Sequence, residues 1–325
     1  MQVLGAEGKQ TLTTSYRWFL ARWAKRLSWL EVASVFQTSW ESVFRSVQMA
    51  VEWGQAHLSL DGVGSIGIDE IAWKKGHHYL TVVYQIDAGC TRLLWVGTHR
   101  KAKTLLKFFR WFGPELSAKL KFIASDMWKP YLKVIARKAP AAVHVLDRFH
   151  IMSNVHKALN EVRAHEARQL ETDGYQPVLK GSRWSLLKRP ENLTEKQEMK
   201  LSELLKYNLK SVRAYLLKED LRGLWNYVSP HWAGKFLDRW CTRAMRSRIE
   251  PIKKVARSLR KHRPLLLNWF VAKGQISSGI VEGLNLKAKL TTRKAFGFRS
   301  EKVVKIALYH ALGKLPEPKS THRFC

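Results

Sequence analysis

The sequence predicts an α/β protein whose mixed-sheet core is interrupted by an all-helical insertion and preceded by a helical, helix-turn-helix region. Three observations lead there. Between residues 63 and 150, short β-rich runs give way to strands alternating with amphipathic helices; from 151 to 270 no convincing strand occurs; and 14–54 reads as helical throughout. A chain of 325 residues can bury a core of this size in two or three domains.

In the N-terminal region, Ser28 with Glu31 and Thr38 with Glu41 each fit the S/T-x-x-E capping box, in which hydroxyl and carboxylate reciprocally satisfy free amides at a helix start. Two short helices joined by a tight turn are expected, the second ending before Gly54. It carries Val43, Val47, Ala50 and Val51 on one face and leaves Trp40, Ser42 and Arg45 outward as DNA contacts. That is the layout of a helix-turn-helix whose second helix enters a major groove. A plain helical hairpin packed on the next domain accounts for the same pattern.

The runs VGSIGID, HYLTVVYQID and TRLLWVG, separated by KKGH and AGC, read as an antiparallel meander. KAKTLLKFFRWFGP follows as a helix with Leu105, Leu106, Phe109 and Phe112 inward and a Gly-Pro stop, and then come strand LKFIAS, helix WKPYLKVIARKA and strand AAVHVLD. Three antiparallel strands followed by strand, helix and strand spell a sheet of the ribonuclease H type. In the insertion, the capping pair Thr194 and Gln197 and breaks at Gly181, Pro190, Gly223 and Pro230 predict a helix bundle. Residues 239–263 carry ten Lys/Arg against the single acid Glu250. Arg243, Arg246, Lys253, Lys254 and Arg257 are read there as a phosphate-tracking surface, with an ordinary solvated face as the alternative. The expected boundaries are 1–60 for the helix-turn-helix region, 61–150 with 271–315 for the sheet core, 151–270 for the insertion and 316–325 for a tail.

Three carboxylates carry the chemistry. Asp69 closes the strand GSIGID, Asp126 follows KFIAS, and Glu282 lies in the helix GIVEGLNLKAK. The first strand and the 120–125 strand run parallel and adjacent in such a sheet, which brings Asp69 and Asp126 side by side. Two aspartates at strand ends with a glutamate from a distant helix suit two Mg²⁺ ions held against a phosphodiester. Glu282 shares a helix face with Asn285, Lys289 and Arg293, groups suited to a DNA strand beside the metals. Asp87 belongs at the opposite edge and Glu70 on the other face, so neither is taken as a ligand. Asp147 and His150, in LDRFH, reach the same edge; Asp147 is open to reading as a ligand, an anchor for His150 or a helix N-cap.

Composition points to the same substrate. A formal net charge of +31 with 46% hydrophobic residues and 14 tryptophans puts the basic excess on a folded surface, which suits a nucleic-acid enzyme better than a ribosomal or coating protein. Cys90, Cys241 and Cys325 stand apart, so neither a zinc site nor a disulfide framework is expected, and a reducing compartment is. No stretch has the length of a membrane span and MQVLGAEGKQ lacks a signal-peptide core. A cytoplasmic, nucleoid-associated protein without a membrane partner is expected.

SIGIDEIAWKKGHHYLTVVYQID, SDMWKPY, LDRFH, SSGIVEGLNLKAKLTTRKAFGFRS and the C-terminal ALGKLPEPKSTHRF, in this order, resemble the ISL-three family of bacterial insertion-sequence transposases from about residue 14 to the end. The resemblance implies a DDE transposase of ribonuclease H-like fold with Asp69, Asp126 and Glu282 at the matching positions. It implies Mg²⁺ as cofactor, Mn²⁺ being an alternative, and double-stranded DNA, both transposon ends and target, as partner. A homodimer or higher oligomer on DNA goes with it. The family usually begins with a cysteine zinc ribbon, and a truncated or internally started form is the expectation here. Gln37 stands where relatives usually have the turn glycine. The rival readings are a non-catalytic DNA-binding product of a mobile element that competes with the full-length enzyme, and a nuclease of the same fold that cuts without joining.

Overall fold

The computed structural model describes residues 12–74, 76, 78–272, 278–294, 298 and 300–319. Two compact units divide the chain, 1–142 with 275–325, and 143–274. The first opens with α1 (Thr14–Trp23), α2 (Trp29–Val35) and α3 (Trp40–Ala56), continues through β1 (Ser65–Lys74), β2 (His78–Asp87), β3 (Cys90–Thr98), α4 (Ala102–Phe112), α5 (Pro114–Lys119) and β4 (Phe122–Ser125), and reaches α6 (Lys129–Lys138). The second holds β5 (Val143–Leu146), α7 (Arg148–Thr172), α8 (Arg183–Leu187), α9 (Glu195–Leu204), α10 (Lys210–Arg222), α11 (Pro230–Arg246), α12 (Glu250–Lys261) and α13 (Arg263–Val271). The chain then returns to the first unit with α14 (Ser278–Lys294) and α15 (Glu301–Leu312).

The N-terminal region has three helices where two were expected, because Thr13 caps an additional helix through Tyr16 N at 3.3 Å. The Ser28–Glu31 box forms as expected. The Thr38–Glu41 box does not. Thr38 N donates to Ala33 O (2.9 Å) and Gln37 N to Ser34 O (3.4 Å), a Schellman closure of α2 with Gln37 at φ +47°. Closing α2 uses Thr38, so Ser39 caps α3 through Ser42 N at 3.1 Å and Glu41 pairs with Arg45 at 2.6 Å. Val43, Val47, Ala50 and Val51 are buried as expected. α3 continues past Gly54, where a Cβ would lie 2.6 Å from Leu315 Cβ; the missing side chain admits Leu315 rather than ending the helix. Ile306, Tyr309 and Leu315 complete the core of these three helices.

The sheet strands of the first unit run in the order β3-β2-β1-β4, antiparallel across the meander and parallel between β1 and β4. One face packs Ile66, Ile68, Val83 and Leu94 against α4 and α6. The other packs Ile71, Leu80, Val82 and Tyr84 against α14 and α15. Covering both faces explains why the strands are apolar runs rather than alternating ones. On α4 the buried stripe is Leu105, Phe108, Phe109 and Phe112; Leu106 is only half-buried, since positions 105, 108, 109 and 112 are the ones that share a helix face. The Gly-Pro pair starts a helix as well as ending one: Gly113 turns at φ +87° and Pro114 opens α5.

The second unit is helical after β5. Gly181 and Gly223 flank helices, Pro230 opens α11, and Thr194 with Gln197 forms the expected capping box. Glu166 on α7 caps α10 by accepting from the Lys210 and Ser211 amides, both at 2.7 Å. Lys218 is buried and satisfied by Leu186 O at 2.9 Å and by Glu219. Among the described residues no helix is long and apolar enough to cross a membrane. The N-terminal decapeptide, residues 75 and 77 of the first expected turn, and the tail beyond residue 319 lie outside the described residues.

Candidate active site

β1 continues five residues beyond Asp69, so Asp69 does not close a strand. It closes the parallel pairing instead. β1 and β4 pair at Ser65 with Phe122, Ile66 with Ile123 and Gly67 with Ala124, and no further. Asp69 and Asp126 each stand two residues past that last pair. The fork opened where β4 turns away is the place at which a parallel sheet exposes its carboxyl ends to ligands.

Strand alternation then assigns faces. Gly67, Asp69 and Ile71 look toward α14, and Gly67 is glycine for a local reason: a Cβ there would collide with Val281 Cγ2. That close approach sets α14 along β1 and brings Asn285 onto Asp69, to whose Oδ2 it donates from Nδ2. Tyr84 on β2 fixes the amide by donating its hydroxyl to Asn285 Oδ1 at 2.9 Å. Burial and the neighbouring Asp69 charge raise the phenol pKa, which keeps Tyr84 a donor. Asn285 is buried, whereas Glu282, one turn earlier on α14, is exposed.

Glu70 faces the opposite way, as alternation predicts, and meets Arg100. The guanidinium bridges Glu70 Oε1 at 3.0 Å and Asp126 Oδ2 at 2.6 Å and lies 4.7 Å from the Trp128 ring centroid. Asp126 is turned toward this cation by its other oxygen, which accepts from Trp128 N at 2.9 Å. Arg100 follows β3 in the run GTHRK, where nothing in the local pattern marks it; only the adjacency of β1 and β4 gives it two carboxylates. Asp87, at the far end of β2, accepts from Gly64 N at 3.2 Å and serves the entry to β1.

In the second unit, Asp147 is the N-cap of α7, accepting from Phe149 N at 2.8 Å, with His150 Nε2 4.0 Å from its other oxygen. This is the cap alternative of the sequence reading. On α3, Trp40 stacks on Phe44 and Ser42 joins the Ser39 cap, while Arg45 is exposed and paired with Glu41. In the basic run, Arg243 pairs with Asp220, and Lys253 (3.0 Å) and Arg257 pair with Glu250; Arg246 and Lys254 are exposed with no ion pair among the described residues. Lys289 and Arg293 are likewise exposed on α14.

The donor chemistry around the fork fits a hard divalent cation. Asp69 and Asp126 carry the hard carboxylate oxygens that such an ion takes, and Arg100 already engages Asp126 together with Glu70. Among the described residues no group of three acids, histidines or cysteines is gathered tightly enough to hold a metal, and Glu282 is exposed.

The chain is similar to known transposases. The family model DDE_Tnp_ISL3, described as "Transposase", matches residues 66–308, from the start of β1 into α15. The transposase for insertion sequence element IS1001 of Bordetella parapertussis is 30% identical over 274 residues, 83% of this chain and 66% of its own length. The transposase for insertion sequence element IS1557 of Mycobacterium tuberculosis is 31% identical over 91% of this chain and 72% of its own length. The chain thus spans about two thirds of the length of these curated relatives. A family match that begins on β1 and ends within α15 spans most of the chain, and the chain belongs to the ISL3 family of transposases.

Proposed function

We infer that this protein is a Mg²⁺-dependent DDE transposase, built on a ribonuclease H-like core, that cleaves DNA at insertion-sequence ends and transfers the freed strand to a target. The observation that carries this reading is the register-equivalent placement of Asp69 and Asp126 beyond the β1–β4 pairing, within a chain of transposase family. Asp69, Asp126 and Glu282 are the residues that would hold Mg²⁺ or Mn²⁺. The bound cations would supply charge stabilisation on the phosphodiester and a nucleophile at neutral pH.

The chain's own groups do the rest. Asn285 and Tyr84 orient the Asp69 carboxylate; Arg100 holds Asp126 against Glu70; and Lys289 and Arg293 extend the α14 face as phosphate contacts. Helices α1–α3 present Arg45 to DNA as a helix-turn-helix, the helical unit adds Arg246 and Lys254, and the protein acts as an oligomer on nucleoid DNA. The test is an in vitro joining assay with candidate end DNA and Mg²⁺, in which joined product is expected. Cleavage without joining would point to a nuclease.

One observation favours a second reading. Glu282 is exposed and stands apart from the two aspartates, as in a non-catalytic DNA-binding product that competes with the full-length enzyme. That protein would bind end DNA and neither cut nor join it.

A further inference from the structure

Beyond the carboxylate fork, the α14 face of β1 continues into a cavity of about 250 Å³. Its floor is apolar and fully buried, formed by Leu80, Val304 and Leu308, and its rim carries Trp73, Lys289 and Arg293. Neither cation has an ion pair among the described residues. Trp73 packs against the cluster of Ile71, Leu80 and Val82 on the α14 face, at the β-bulge between Ala72 and Lys74. Lys289 and Arg293 follow Asn285 at four-residue steps, about 6 Å each along the helix. A line of groups therefore runs from the carboxylates to the cavity.

We propose that this cavity is a nucleotide-binding site: it takes one unpaired base of the DNA strand leaving the fork, the base stacking on Trp73 and the flanking phosphates meeting Lys289 and Arg293. The chemistry singles out this occupant. A part-exposed indole held against an apolar wall suits the π-face of any base, while two unpaired cations on the rim suit the phosphates on either side of it. Thr292, the remaining polar side chain there, has its hydroxyl committed to Ala288 O at 3.1 Å, so the site supplies stacking and charge rather than base-edge readout. Sequence-tolerant capture of an extruded or single-stranded nucleotide is the function this arrangement performs.

The proposal rests on the DNA strand-transfer reading, and the experiment separates the two. Binding of the full chain is measured by fluorescence anisotropy with a blunt duplex, the same duplex bearing a short single-stranded 3′ extension, and that extension made abasic. The parent protein should bind the extended duplex about tenfold more tightly than the blunt or abasic one, the factor expected of a stacked base. Trp73→Ala should lose this preference while binding blunt duplex as the parent does, and Trp73→Phe should keep it. Equal binding of extended and abasic DNA by the parent protein, which needs no variant to fold, overturns the proposal, as does a preference that survives Trp73→Ala. Failure to bind even blunt duplex overturns the strand-transfer reading as well.

Discussion

Asp69, within β1, and Asp126, one residue past the end of β4, each stand two residues beyond the last paired residues, Gly67 and Ala124. Past that point the strands diverge and no backbone hydrogen bonds join them, so two carboxylates sit over a gap in the sheet. Arg100 binds Asp126, and the Asn285 amide donates to Asp69.

Asp69→Asn, Asp126→Asn and Glu282→Gln should each lower Mg²⁺-dependent cleavage by at least about 100-fold, since a metal-held charge is worth several kcal/mol in the transition state. Retention of DNA in a gel-shift assay should be nearly unchanged, because amides preserve shape. Near-parental cleavage by any one variant would remove that residue from the metal site.

Arg100→Gln leaves the buried Glu70 carboxylate without its cation and should cost about 2 kcal/mol in urea unfolding, a value below that of a fully buried pair because Arg100 is part-exposed. Adding Glu70→Gln should recover most of it. An unchanged urea midpoint for Arg100→Gln would mean that the bridge contributes nothing to stability.

Gly67→Ala should destabilise by roughly 1–3 kcal/mol, since the new methyl meets Val281 and pushes α14 away from β1. Because the same displacement takes Asn285 off Asp69, cleavage should fall with it. Pairing it with Val281→Ala should restore both stability and cleavage. Recovery of stability without cleavage would show that the close approach serves packing alone.

Stability should decline as pH falls from about 6.5 to 4. His310 is buried, and burial lowers its pKa to about 4, so in that window the unfolded chain binds a proton that the native one refuses. The contribution is fully present above the unfolded pKa and is lost on acidification. His144, lowered to about 4 by burial and by the nearby His262, acts in the same direction within the second unit. His310→Gln should flatten the slope of unfolding free energy against pH; an unaltered slope would assign the acid sensitivity to other groups.

In the basic run, Arg246→Gln with Lys254→Gln should weaken binding equally for end and random DNA and make the salt dependence shallower by up to about 0.9 in log–log slope per lost contact. Arg243→Gln and Arg257→Gln should do less, since these side chains are engaged by Asp220 and Glu250. If the Arg246 and Lys254 variants bind as tightly as the parent at every salt concentration, this face does not meet DNA.

What the sequence determined by itself is what local chemistry controls. The strands and helices, the Ser28 and Thr194 caps and the apolar face of α3 follow from short-range periodicity and capping patterns. Its errors were also local. The cap assigned to Thr38 fell to Ser39 because closing α2 used Thr38 first, and the inward set of α4 exchanged Leu106 for Phe108 once the sheet fixed which stripe faced it.

Only the tertiary structure decided which of the carboxylates meet cations and which meet amides. Arg100 reaches Glu70 and Asp126 because β3, β1 and β4 lie in one sheet, and Asn285 reaches Asp69 because a glycine 218 residues upstream leaves room for its helix. Contacts between residues far apart in sequence leave no periodic trace along the chain. They arise when burial of two sheet faces fixes the position of each helix, and the polar groups at the fork take the partners that this packing leaves within reach.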